Sequence, residues 1–527
     1  MDVYNARLEA CLMKSTITPA DMKTLESRYM EENHVPGALL MEHAALGVVD
    51  AIARYTDKGT VVFLCGPGNN GGDGYTAARL WAERGGKAHI VEVTEDVHGD
   101  ALLNRNLAVT AGIPCEIASD DLYFDIPPCD VIVDALFGTG LTRAIAGAAG
   151  HLIHCAYDMN LDFGTPIIAV DIPSGIDGTT GKMLGTAVRA TETVTFHRIK
   201  QGLLLGDAPD YVGKITVQPI SIREGDGLNL EYDGMKILEA VDLEGGLFRR
   251  SQTCHKGDFG RVVLFCGSRG MAGAAALCAN AAMRAGTGLT TILCRESLLP
   301  ILQTLAPGAM CAVLPERDGM LLPESAEIAR QALSKADAAC IGCGLGQSSD
   351  VMPILRLFAQ AECPVVWDAD ALNLLAKTDG LFPLKEADVI TPHPGEAARL
   401  LDCDAEEVTR DALSALDRLH DLCGCTVLLK GARSLVTDGM DTYCNLYTSP
   451  ALAKGGSGDV LAGIITALLA RRFPEMYAAW FDSVHAAAYG ALIHGLAGIR
   501  AAKLCGENCT LPTDIVDCIR LDAKGLD

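Results

Sequence analysis

Aromatic residues are scarce in this chain, at 5% of 527, and positive charge is in deficit: 43 Lys and Arg stand against 67 Asp and Glu. The formal net charge of −24 excludes a general binder of nucleic acid or of an anionic membrane. An anionic ligand must be held locally, by backbone N–H groups and a few Lys and Arg, against the overall field. Long apolar runs are also missing. Val460–Ala470 is about half the length of a membrane span. Residues 1–14 carry acidic side chains and no apolar stretch of a secretory leader, so a cytoplasmic protein with no nucleic-acid or membrane partner is expected. No Gly-Lys-Ser/Thr phosphate loop occurs.

What is abundant is glycine, at 55 residues, within a chain that is 49% apolar. That profile excludes disorder and suits α/β sheets packed by small-residue helices such as 272–285. The length implies two domains or more. Twenty cysteines are scattered along the chain. Cys65, Cys266, Cys278 and Cys294 fall in runs that read as buried strands or helices, where reduced thiols act as small apolar groups. Cys340-Ile341-Gly342-Cys343 has redox or zinc spacing, and Cys423-Gly424-Cys425 follows later. No second well-spaced Cys/His pair completes a ligand set in the sequence.

Two glycine-rich turns carry the strongest chemical signal. Gly66-Pro67-Gly68-Asn69-Asn70-Gly71-Gly72-Asp73-Gly74 follows the apolar run 61–65. Gly455-Gly456-Ser457-Gly458-Asp459 precedes the apolar run 460–470. Such turns aim backbone N–H groups at one point beside a helix N-terminus. In the first, the glycines are expected to take positive φ and let the backbone approach a ligand. Lying nearly 400 residues apart, the two turns imply two catalytic domains for phosphorylated or nucleotide ligands.

Apolar runs at 61–65, 89–93, 131–134 and 167–171 read as parallel strands of a doubly wound sheet, with ligands at their carboxyl ends. Two further strand ends carry carboxylates, Asp134 in 134–141 and Asp171 in 171–178. With the oxygens of Asn70 and Ser174 they can hold a hard cation or hydroxyl groups. Composition turns polar and glycine-rich at 223–250, which reads as a linker between domains 1–222 and 251–527. A second strand set follows at 261–266, 289–293, 338–341, 365–368, 389–391, 426–429 and 434–437. There Asp459, opening a buried helix, can take a hydroxyl proton, and the nearby N–H groups can stabilise a transferring phosphoryl group.

The blocks GPGNNGGDGY, DALFGTGL and VDIPSGIDGTTG, then Thr193–Phe196 with Lys200, resemble the NAD(P)H-hydrate epimerase family over about residues 18–220. The resemblance implies a Rossmann-like three-layer domain that epimerises C6 of hydrated nicotinamide dinucleotides. It implies substrate contacts by Asn69, Asn70, Gly71, Gly72, Asp73, Gly138, Thr139, Gly140, Leu141, Thr142, Arg143, Ala144 and Asp171. It further implies a potassium ion on Asn70, Asp134 and Ser174, and catalysis by Asp171 with Lys200 nearby. The sequence departs from the family at His43 and Gln201.

TPHPGEAARLL and GGSGDVLAGII resemble the nucleotide-dependent NAD(P)H-hydrate dehydratases, a branch of the ribokinase-like fold, over about 232–520. The implied hydrate site is Ala274, Gly344, Gly346, His393 and Asp459. The implied nucleotide site is Lys430, Gly431, Ala432, Arg433, Ser434 and Gly458, taking ADP as co-substrate with Mg2+. Cys343 stands where the family has proline. The order of the halves implies a bifunctional repair enzyme, expected as a homo-oligomer. The alternative is a ribokinase-like vitamin-precursor kinase with an accessory ligand-binding domain.

Overall fold

The computed structural model describes residues 14–118, 125–222, 234–244, 246–378, 383–473, 475–478 and 480–524. The described chain divides into two compact units at Met235/Lys236. Much of the stretch read as a linker, 223–233, lies outside the described residues. Its later part adds Leu238, Leu243, Leu247 and Phe248 to the core of the second unit.

In the first unit the strands are β1 (Thr60–Cys65), β2 (Lys87–Glu92), β3 (Cys115–Ile117), β4 (Val131–Ala135), β5 (Ile167–Val170), β6 (Glu192–Phe196) and β7 (Lys214–Gln218). They form one parallel sheet in the order β3-β2-β1-β4-β5-β6-β7. Alternation along β1 decides the layers. Val61, Phe63 and Cys65 face helices α1 (Pro19–Asn33), α2 (Gly37–Ile52) and α3 (Asn69–Glu83). Val62 and Leu64 face α4 (Gly147–Phe163) on the other side. A sheet buried on both faces reads as continuous apolar runs, which is why its central strands are visible in the sequence. Strand order reverses between β1 and β4, and a crevice opens there at the strands' carboxyl ends.

The second unit repeats the principle with different wiring. Its strands are β8 (Lys236–Ile237), β9 (Arg261–Phe265), β10 (Leu289–Arg295), β11 (Met310–Leu314), β12 (Ala338–Ile341), β13 (Val365–Trp367), β14 (Val389–Ile390), β15 (Thr426–Leu429), β16 (Leu435–Thr437) and β17 (Thr442–Cys444). They run β8-β17-β16-β15-β14-β13-β12-β9-β10-β11, parallel from β11 to β15 and antiparallel across β15-β16-β17. The switch point lies between β9 and β12. One face is covered by α5 (Ala272–Arg284), α7 (Ser457–Ala470) and α8 (Ser483–Cys505). Small residues set the spacing, as the sequence implied. A Cβ on Gly463 of α7 would lie 2.3 Å from the Cys278 carbonyl oxygen of α5. No described helix is long and apolar enough to cross a membrane.

Candidate active sites

At the first switch point the glycine turn is shorter than the sequence suggested. Helix α3 begins at Asn69, so Gly71, Gly72 and Asp73 form its first turns. None of the turn's glycines has positive φ. They are needed for close approach instead: a Cβ on Gly66 would sit 1.7 Å from the Leu136 carbonyl oxygen, and one on Gly71 2.0 Å from that of Gly66. Asn69 is exposed, whereas Asn70 to Asp73 are buried. Facing them, Gly138–Ala144 forms a partly exposed loop after β4.

Asp134 is fully buried beneath this crevice. Its carboxylate accepts from Ser174 Oγ at 2.6 Å, Ser174 N at 2.8 Å and Leu136 N at 3.3 Å. Burial nonetheless pushes its carboxyl up to about 6. Among the described residues it makes no ion pair, so positive charge is what this oxygen-lined spot lacks. A Cβ on Gly138 would lie 3.1 Å from Asn70 Oδ1, which brings Asn70 to the same loop.

Asp171, just beyond β5, has φ +63°, a left-handed conformation rare for a residue with a side chain. Its Oδ1 accepts from Lys200 Nζ at 2.5 Å, Thr195 Oγ1 at 3.1 Å and Phe196 N at 3.3 Å. Lys200 is itself buried and donates to the Phe196 carbonyl at 2.9 Å. Two further carboxyls join this pair. Glu26 lies on the inner face of α1 among Met22, Leu25 and Tyr29. Burial pushes it up to about 7, with Lys200 and Asp171 as its charged neighbours. Burial also raises Asp73 well above the usual carboxylate range, helped by the charges of Asp171 and Glu26. Sequence reasoning missed Glu26. The available signal was one carboxylate on an otherwise apolar helix face. The two departures have local partners. His43 Nδ1 is 2.6 Å from Ser221 Oγ, and Gln201 donates to the Thr179 carbonyl at 3.1 Å.

In the second unit a cavity of about 510 Å³ opens at the switch point. Ala274, Gly344 and Asp459 line it, with Asp370 and Glu396. Gly344, at φ +58°, would bring a Cβ within 2.7 Å of Ala274 Cβ. Gly346 and His393 are not part of the lining. Gly346 N donates to Asp370 at 2.8 Å. His393 caps helix α6 (Pro394–Leu401): its Nδ1 accepts from Gly395 N at 3.0 Å, and its own N–H donates to Glu396 at 2.9 Å.

Asp459 occupies the first turn of α7, after Gly456 at φ +102°. Burial pushes its carboxyl up to about 6, and the neighbouring Asp368 charge adds to the shift. Lys430, just beyond β15, donates to Asp368 at 2.7 Å, and Thr391 Oγ1 donates to the same oxygen at 2.8 Å. Gly458 lies beside this pair: a Cβ there would be 3.5 Å from Lys430 Nζ, an ordinary contact distance. Gly431 and Ala432 are exposed beyond β15. Arg433 donates to the Leu446 carbonyl at 2.8 Å, and the Ser434 carbonyl accepts from Asn445 N at 3.0 Å. Asp459 lines the cavity, with the Lys430–Asp368 pair beside it, whereas none of 431–434 is part of the lining.

The family model described as NAD(P)H-hydrate dehydratase matches residues 262–521, and that described as YjeF-related protein N-terminus matches 37–202. The chain is 34% identical to the bifunctional NAD(P)H-hydrate repair enzyme Nnr of Coxiella burnetii, over 89% of this chain and 91% of that protein. The chain belongs to the bifunctional NAD(P)H-hydrate repair enzyme family. Family membership extends nearly end to end: the Moorella thermoacetica enzyme is 32% identical over 97% of each chain. A solved structure of the ADP/ATP-dependent NAD(P)H-hydrate dehydratase of Bacillus subtilis, co-crystallised with ATP and Mg2+, is 29% identical. It covers 51% of this chain and 91% of its own, with a TM-score of 0.43. The blocks that carried the resemblance fall within the matched ranges, 37–202 for the first set and 262–521 for the second.

Proposed function

We propose that this protein repairs hydrated nicotinamide dinucleotides by two linked reactions. Its first unit interconverts the R and S epimers of NAD(P)H hydrate. Its second unit dehydrates the S form to NAD(P)H, consuming ADP and releasing AMP and phosphate. The observation that carries this reading is a full-length relationship to the repair family in a chain with a carboxylate poised at each switch point: Asp171 against Lys200, and Asp459 at the head of α7.

In the first unit the C6 hydroxyl must leave and return on the other face, assisted by the ring nitrogen lone pair. Asp171 and Lys200 can move the proton that this needs. Glu26 is placed to supply it. It holds a proton below about 7 and loses it above. Epimerisation should therefore fall as pH rises through that value. Glu26→Gln should lack this limb and run about 10²-fold or more slower. A variant with the wild-type pH profile would remove Glu26 from the reaction.

Asn70, Asp134 and Ser174 offer oxygen donors with one formal carboxylate, which suits potassium better than a divalent ion. The buried, unpaired charge of Asp134 supports this assignment. Potassium should raise the melting temperature of the wild-type first unit and leave Asp134→Asn unaffected. Equal responses of the two proteins would count against the site.

In the second unit the terminal phosphoryl group of ADP passes to the C6 oxygen while Asp459 takes the hydroxyl proton. Phosphate then departs with the C–O electrons, and loss of the C5 proton restores the ring double bond. Asp370 and Glu396, which line the cavity, would offer the carboxylate oxygens that Mg2+ takes beside phosphates, and the ion would offset phosphate charge. Recovery of reduced-nicotinamide absorbance on mixed hydrate epimers tests the whole reading. ADP should support faster turnover than ATP at equal concentration, and the reverse would reassign the co-substrate. A vitamin-precursor kinase would instead leave a stable phosphorylated product and no absorbance gain.

A further inference from the structure

Cys340-Ile341-Gly342-Cys343 lacks a partner pair in the sequence, but the fold supplies one. Cys266, Cys278, Cys340 and Cys343 are all fully buried, and their sulfurs lie within 4.8 Å of one another. The register explains the convergence. Leu264 pairs with Cys340 and Phe265 with Ile341 across β9 and β12, so Cys266 and Cys340 share the face turned to α5. Cys278 comes from that helix, and its Sγ is 4.0 Å from that of Cys340. Cys343 closes the group from the turn after β12.

A buried thiol is ordinarily just a small apolar residue. Four that meet at one point form a complete ligand set. We propose that these four sulfurs make a mononuclear tetrathiolate site for a soft divalent cation of the zinc class. A tetrahedral ion with metal–sulfur bonds of about 2.3 Å needs sulfurs about 3.8 Å apart, so closure asks each to move by less than about 1 Å. The spacing is too tight for a polynuclear iron–sulfur cluster, whose thiolates bind separate metals. Binding replaces four S–H bonds by four metal–sulfur bonds, releases four protons to solvent and changes no oxidation state. The complex keeps two negative charges, and the Lys430 ammonium, within electrostatic reach of Cys343, offsets part of them.

The site reaches the dehydratase cavity through one residue. Cys343 Sγ lies 3.6 Å from Asp368 Oδ2, and Cys343, Asp368 and Asp459 form a second close group. An ion on the four sulfurs would pin the turn that carries Gly344. This inference goes beyond the repair activity and does not depend on it.

The test uses full-length protein produced with added Zn2+, desalted and assayed for bound metal by mass spectrometry. One zinc per chain is expected, falling to background in Cys266→Ser and Cys278→Ser but retained in Cys505→Ser. If the first two variants fail to fold, the wild type loaded with Co2+ decides the matter. Thiolate charge-transfer bands with intense tetrahedral visible bands support the site, and their absence overturns it. Wild-type protein that retains no zinc overturns it too. So does a non-reduced mass two hydrogens low for each disulfide formed among these cysteines.

Discussion

Asp459→Asn should stop dehydration while leaving both units folded. Loss of a positioned base costs about 10²–10⁴-fold in rate, and amide replaces carboxylate here at nearly constant volume. The wild-type pH profile supplies an independent check. Burial and the Asp368 charge lift the Asp459 carboxyl to about 6. It is protonated, and useless as a base, below that value. Dehydration of the pure S epimer should therefore rise with pH through about 6 and then level off. The assay is absorbance recovery at saturating nucleotide, with circular dichroism to verify folding. Near-wild-type turnover in the variant would take Asp459 out of the mechanism.

Asp171→Ala should separate the two activities. The residue belongs to the first unit, and among the described residues its carboxylate bonds to Lys200, Thr195 and Phe196 of that same unit. The variant should dehydrate pure S hydrate at the normal rate. On a mixture it should consume the S fraction quickly and then slow to the spontaneous rate of epimer exchange. Wild-type protein should run to completion without a break. A variant that clears the mixture like the wild type would exclude Asp171 as the epimerase acid/base. One that also fails on the pure S epimer would refute independent sites.

Much of this was legible in the sequence because central parallel strands bury both faces. Val61–Val62–Phe63–Leu64 and the run 338–341 admit no polar residue, and chemistry collects where such runs end. Edge strands were harder to see. Lys214–Gln218 is half-exposed and mixes polar with apolar residues, and Met310–Leu314 is a short half-exposed run, so neither stood out. The glycine turns were located correctly, but the first was given the wrong backbone state. Spacing along a chain does not reveal that Gly66 must pass the Leu136 carbonyl. Glu26 escaped because its partners are 145 and 174 residues away, at Asp171 and Lys200. The four-cysteine group escaped for the same reason: only the pairing of β9 with β12 brings its halves together.

The left-handed backbone at Asp171 has an evolutionary consequence. Holding a side-chain-bearing residue there costs about 1–2 kcal/mol, which glycine would recover. Glycine would also leave the buried Lys200 ammonium without this carboxylate, at a cost of about 3–5 kcal/mol, so selection for thermal robustness alone would not favour it while Lys200 stays. On the proposed role of Asp171, the carboxylate and Lys200 are retained together while epimerisation is under selection. In a lineage that no longer needed epimerisation, joint drift at positions 171 and 200 would be among the traces of the loss, while the glycines at 66 and 71 stayed fixed by packing.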